Sequence, residues 1–163
     1  MIFFIEAILM GIVATLVMDL GAILFARTGV IHPQIGPGDI GRWTLYMLRG
    51  KFVHEDIRKT APLSNEKQAG FLAHYLIGVA LAGVYLIIEL LAPAVQDRVW
   101  VPLLFGISTS VLPWFWLFPS MGVGFLASKA PKKSHYLVTS LVNHTSFGLG
   151  FVLWIVLFRP LLT

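Results

Sequence analysis

The sequence predicts an all-α integral membrane protein. It has four transmembrane helices, N-out and C-out, with an amphipathic cytoplasmic segment between helices 1 and 2. Three observations predict this. Of 163 residues, 57% are hydrophobic and only 12% are charged, with mean hydropathy +0.82, which leaves too little polar surface for a soluble domain of that length. Four apolar stretches are each long enough for a hydrocarbon core, which takes about 20 helical residues. Basic residues also fall on alternate links. Arg27, Arg42, Arg49, Lys51, Arg58, Lys59, Lys67, Lys129, Lys132 and Lys133 lie on the first and third, against Arg98 and Arg159 on the other side. That asymmetry puts both long links in the cytoplasm and both termini outside.

The chain reads as one membrane domain, residues 1–163. Its isoelectric point near 9.6 reflects basic residues flanking apolar spans, which set topology, so nucleic acid is not an expected partner. With no cysteine, disulfides, thiolate metal sites and cysteine nucleophiles are excluded. The first apolar stretch has no Lys or Arg before it, is too long for a secretory leader's apolar core, and lacks a small-x-small cleavage pattern. It reads as a retained span.

Span one covers about residues 2–26 and carries Asp19, with Glu6 near its start. The polar link, 27–69, contains Asp39, which caps a predicted helix running to Arg49 and stopped by Gly50. Ile40, Trp43 and Met47 form an apolar stripe on it, and a helix of this kind either lies on the cytoplasmic membrane surface or packs over the bundle. Ser64 is placed to cap span two, about 70–91, with Glu66 in its first turn. The short link that follows makes spans two and three antiparallel neighbours. Span three, about 100–127, is predicted to kink where Pro113 and Pro119 remove backbone donors. Span four covers about 136–158. Gly11 to Thr15 resembles Gly106 to Ser110, and His74 with Gly78 repeats as His144 with Gly148, the pattern of a duplicated helical hairpin.

Depth selects the candidate site. At a rise of 1.5 Å per residue, Asp19, His74 and His144 all fall within roughly 12 Å of the cytoplasmic end of their spans. A carboxylate at that depth costs about 3 kcal/mol unless it faces the bundle and finds a partner. The histidines are its natural partners, with Asn143, Thr139, Ser140 and Thr145 as neutral ones. Three functions follow. Asp19, His74, His144, Asn143 and Thr145 form a protonatable or ligand site in a small transporter or channel. Alternatively, His74 and His144, with Asp19, hold haem or a divalent metal, the following glycines making room. Or the polar residues are structural glue in a non-catalytic assembly subunit. No GxSxG, HExxH or phosphate-binding loop supports an enzyme.

In the polar link, Arg42, His32 and His54 are secondary candidates. His54, beside Glu55 and Asp56, reads as solvated surface. Glu6 and Glu89 are expected to pair with Arg98 and Arg159 at the outer face. A transporter this small also calls for a homo-oligomer, with Gly78, Ala82 and Gly83 at helix contacts.

Several local patterns coincide along nearly the whole chain. They are Met18-Asp19-Leu20, Gly41-Arg42, Gly50-Lys51-Phe52 with His54, Ala61-Pro62, His74-Tyr75 with Gly78, Pro119 with Met121-Gly122 and Gly124, and His144-Thr145 with Phe147 to Gly150. In these the chain resembles an uncharacterised bacterial family of small four-span inner-membrane proteins, known only as a domain of unknown function. The resemblance implies a bacterial inner membrane and four spans, and no activity.

Overall fold

The computed structural model describes residues 2–96 and 98–161, and among these there is no strand. Five helices carry the fold: α1 (Ile2–Arg27), α2 (Pro37–Met47), α3 (Glu66–Leu91), α4 (Trp100–Ser120) and α5 (Lys133–Leu161). All but α2 are long and apolar enough to cross a membrane.

Small residues decide which helices touch. The buried positions of α1 are Ala7, Met10, Gly11, Ala14 and Thr15, a single seam at helical spacing. A Cβ on Gly11 would lie 2.5 Å from the Val79 backbone of α3. One on Gly150 of α5 would lie 2.5 Å from Ala14. A third such contact joins Gly106 of α4 to Gly148 of α5, where a Cβ would come within 2.2 Å of backbone. Backbones approach this closely only where side chains are missing, which is how helices associate in lipid. The extensive packing therefore runs α3–α1–α5–α4.

Spans two and three were expected to be packed neighbours. They are not among the extensively packed pairs, although Tyr85 and Phe105 bring their rings to 5.3 Å. The short link makes α3 and α4 antiparallel, but the glycine seams commit α3 to α1 and α4 to α5. A crevice remains between them.

α4 is interrupted as its prolines require. Thr109 and Ser110 form a turn, and Pro113–Leu117 is π-helical, the Phe118 N–H reaching back to Pro113 O. The helix ends at Ser120 rather than reaching Ala127, because the chain reverses at Gly122 with φ +86°. A side chain cannot replace this glycine, since its Cβ would sit 2.0 Å from Glu55 O. The reversal pairs with the polar link: His54 N–H donates to Ser120 O at 2.8 Å and Ile57 N–H to Met121 O at 3.0 Å.

α2 packs over the bundle. Gly41 meets the first turn of α3, where a Cβ would be 1.6 Å from Glu66 O, and Gly70 meets Pro37 O in the same way. Trp43 is buried with Ile57, Phe118, Met121, Val123 and Tyr136 in a small core at the loop end of the bundle. The apolar stripe faces protein because this pairing turns it inward. Asp39 closes the first turn by accepting from Gly36 N–H at 2.9 Å, and the helix stops at Met47. Lys51 N–H to Tyr46 O and Gly50 N–H to Met47 O, with Gly50 at φ +83°, complete a glycine stop. Ser64 makes no cap: Asn65 precedes α3 without a side-chain bond, and the Glu66 carboxylate takes the Leu63 N–H instead.

At the opposite end Arg159 takes both outer carboxylates, Glu6 at 2.5 Å and Glu89 at 2.7 Å, tying α5 to α1 and α3.

Candidate functional site

Thr15 and Gly78 lock α1 to α3, since a Cβ on Gly78 would be 2.0 Å from Thr15 Oγ1. One turn further along α1, and one turn back along α3, Asp19 and His74 come level. His74 Nε2 lies 3.1 Å from Asp19 Oδ1, and Tyr75 O–H donates to Oδ2 at 3.0 Å. The paired side chains are about one-quarter and one-third exposed.

The second hairpin repeats the arrangement with different chemistry. Gly106 and Gly148 lock α4 to α5, and His144 sits one turn before Gly148. Its Nδ1 is 2.7 Å from Thr109 Oγ1, which donates its own hydrogen to Gly106 O at 2.6 Å. Thr109 must then accept from His144 Nδ1–H, so the lone pair of the neutral ring sits on Nε2. That nitrogen can take a proton or accept a hydrogen bond.

The two histidines meet across a cavity of about 430 Å³ in the crevice between α3 and α4. Trp43 and Met47 of α2 roof it at the loop end. Towards the other end Phe147 lines it, and the packed rings of Phe151, Phe105 and Tyr85 continue from there. Its walls are overwhelmingly apolar. Leu76, Ile77, Leu112 and Trp116 line the cavity and are themselves 58%, 46%, 37% and 57% exposed, so the crevice opens sideways where lipid would lie. Polar groups concentrate on α5: Thr139, Ser140, Asn143 and His144. Ser140 Oγ and Asn143 Oδ1 are buried without a hydrogen-bond partner.

Of the residues predicted from sequence, His74, His144 and Asn143 line this cavity, while Asp19 stands behind His74. Thr145 turns back on its own helix, donating to Leu141 O at 2.8 Å, and does not line the cavity. Asp19 is committed to His74 and Tyr75, and His144 to Thr109, so the three-ligand metal set is not assembled. Among the described residues no group of three His, Cys, Asp or Glu is arranged to hold a metal ion.

Arg42 works at the roof rather than in the cavity. It grips Glu66 with two bonds of 2.8 and 2.7 Å and donates to Ile57 O and Thr60 O. The Glu66 bond raises the guanidinium above its ordinary pKa, so it remains charged. His32 is exposed at the rim, its ring 4.3 Å from that of His135 and its N–H on Thr139 Oγ1. His54, expected on the surface, is only 3% exposed. The Met121–Gly122 reversal covers it, its Nδ1 bonds Thr60 Oγ1 at 3.1 Å, and its Nε2 has no partner. Burial, with Lys51 nearby, lowers its pKa.

Sequence reasoning missed Tyr75 and Thr109. Tyr75 adjoins His74, and a hydroxyl next to a histidine that must find an aspartate is a usable signal. Thr109 carried one too, as the position matching Ala14 in the repeat, where the second hairpin alone is polar.

A family model described as a protein of unknown function (DUF2938) matches residues 8–157. No curated protein and no solved structure matches the chain.

Proposed function

The chain belongs to the DUF2938 family of unknown function and is a multi-pass membrane protein; we propose that it is a small transporter of the carrier type, with protonatable groups at one cavity. The observation that carries this is the arrival of one histidine from each hairpin at the same chamber, His74 backed by Asp19 and His144 by Thr109. Histidine exchanges protons near neutral pH. A protonated His74 beside Asp19 carries no net charge as a pair, so a proton held there is not an isolated charge in a poor solvent. The aromatic cluster beyond Phe147 argues for a carrier over an open channel, since packed rings run from Phe147 in this cavity through Phe151 to Tyr85 and Phe105, which line a second cavity. The basic links support a cytoplasmic side for the α2 roof, and the family resemblance implies a bacterial inner membrane. One chain supplies the cavity's lining and leaves it open sideways between α3 and α4, where the second copy of an expected homo-oligomer could close it. Gly78 and Ala82 are used inside the bundle, and only Gly83 of the three faces open space.

Purified protein in liposomes carrying an internal pH dye tests the reading. Asp19→Asn and His144→Ala are expected to abolish flux driven by a pH gradient, with assembly intact. Undiminished flux refutes it. If those variants only lower the melting temperature, the polar residues are structural glue. A Soret band from purified protein would point to haem instead.

A further inference from the structure

Taking the cavity as the working site, we infer that it receives a neutral amphipathic molecule from the bilayer, an apolar body with a hydroxyl head, entering sideways between α3 and α4. Access favours this occupant. The mouth is framed by exposed Leu76, Ile77, Leu112 and Trp116, within spans whose outer surface is apolar. An aqueous solute would have to cross lipid or pass the α2 roof to arrive.

The walls select the body. A volume near 430 Å³ falls within the range of about 300–1,000 Å³ usual for small-molecule sites, and walls this apolar hold water poorly. The polar face selects the head. No Lys, Arg, Asp or Glu lines the cavity, so neither a phosphate nor a fixed cation is matched. Instead α5 presents acceptors. Ser140 Oγ and Asn143 Oδ1 lack partners, Ser140 being 7% exposed, and His144 keeps its Nε2 lone pair one turn further on. Buried acceptors without donors carry an unmet cost, which a donating head removes by a modest rotation of either side chain. A hydroxyl both donates and accepts and costs little to draw from lipid. Long-chain alcohols and alkyl hydroquinones share this chemistry.

Trp43 and Trp116 line the cavity and make the test direct. Full-length protein in nanodiscs is titrated with a terminally brominated long-chain alcohol, its methyl ether, and a brominated alkyl hydroquinone, and tryptophan quenching is followed. The alcohol is expected to quench saturably, and the ether to need about tenfold more, the value of one hydrogen bond of ~1.4 kcal/mol. Ser140→Ala with Asn143→Leu should bring alcohol and ether within about twofold. Leu112→Phe, which fills the mouth without adding a reporter, should remove saturation. Saturable quenching by the hydroquinone alone assigns the head as a phenol. Equal quenching by alcohol and ether, or the same unsaturable quenching in native protein and Leu112→Phe, overturns the inference. If binding fails while flux still depends on Asp19, the carrier reading stands without this ligand. If binding holds while Asp19→Asn leaves flux unchanged, the carrier reading falls and the site remains.

Discussion

Thr60 and Thr109 treat two distant histidines alike. Each hydroxyl gives its hydrogen to a backbone carbonyl and so must accept Nδ1–H from the ring, at His54 and at His144. At His54 the consequence is measurable. Its folded pKa is lowered, so the folded state prefers the neutral ring. That contribution is complete above the ordinary value of 6.5 and is lost as pH falls below it towards the folded value. Melting temperature should therefore drop between neutral and mildly acidic pH, and His54→Gln should flatten that slope; an equal slope in both proteins contradicts the assignment. At Asp19 and His74, a double-mutant cycle should give a coupling of about 0.6–1.7 kcal/mol, the range for hydrogen bonds between membrane helices. Asp19 and His74 were legible in the sequence because a carboxylate in an apolar run must find something. The burial of His54 was not, because it depends on Tyr46 edge-on to the ring and on a chain reversal far along the sequence, at Ser120 to Gly122, that pairs with the His54 backbone.

α2 shows how an element can be located from sequence while its facing stays open. Its stripe of Ile40, Trp43 and Met47 reads equally as lipid-facing or protein-facing, since both surroundings are apolar. The deciding residues are Gly41 and Gly70, whose meaning appears only when the helices cross. Gly41→Ala should cost about 1–3 kcal/mol or unseat the roof, as overpacking does. Gly38→Ala, whose Cβ would meet Glu66 Oε1 at 3.6 Å and Lys67 Cγ at 3.9 Å, both ordinary contacts, should be tolerated. Thermal melts of the two variants compare a blocked with an open position on one helix. Arg42→Lys should destabilise nearly as much as Arg42→Ala, by about 2 kcal/mol, because an ammonium cannot hold Glu66 in two bonds while also reaching Ile57 O and Thr60 O. Arg42 also explains why α3 begins at Glu66 rather than Gly70: a carboxylate so held can sit in a first turn.

Across the whole molecule the two hairpins correspond, Gly11 against Gly78 in one and Gly106 against Gly148 in the other. They join through α1 and α5 at Ala14 and Gly150, and the matching pair, α4 and α3, stays apart. The cavity is that unclosed counterpart. Four spans were legible from hydropathy alone. The crevice was not, because a short link constrains direction and says nothing of contact. Gly148→Ala should loosen the α4–α5 hairpin by about 1–3 kcal/mol, while Gly83→Ala, with nothing within 4 Å, should leave the melting temperature unchanged. Under the proposed function, the Asp19–His74 pair and His144 act through the chamber between α3 and α4. The most direct measurement is proton flux in liposomes by Ala73→Phe, which fills that chamber without removing a titratable group. Loss of flux with an unchanged melting temperature is predicted. Native flux in this variant, with Asp19→Asn still inactive, would place the proton's route elsewhere and contradict the account.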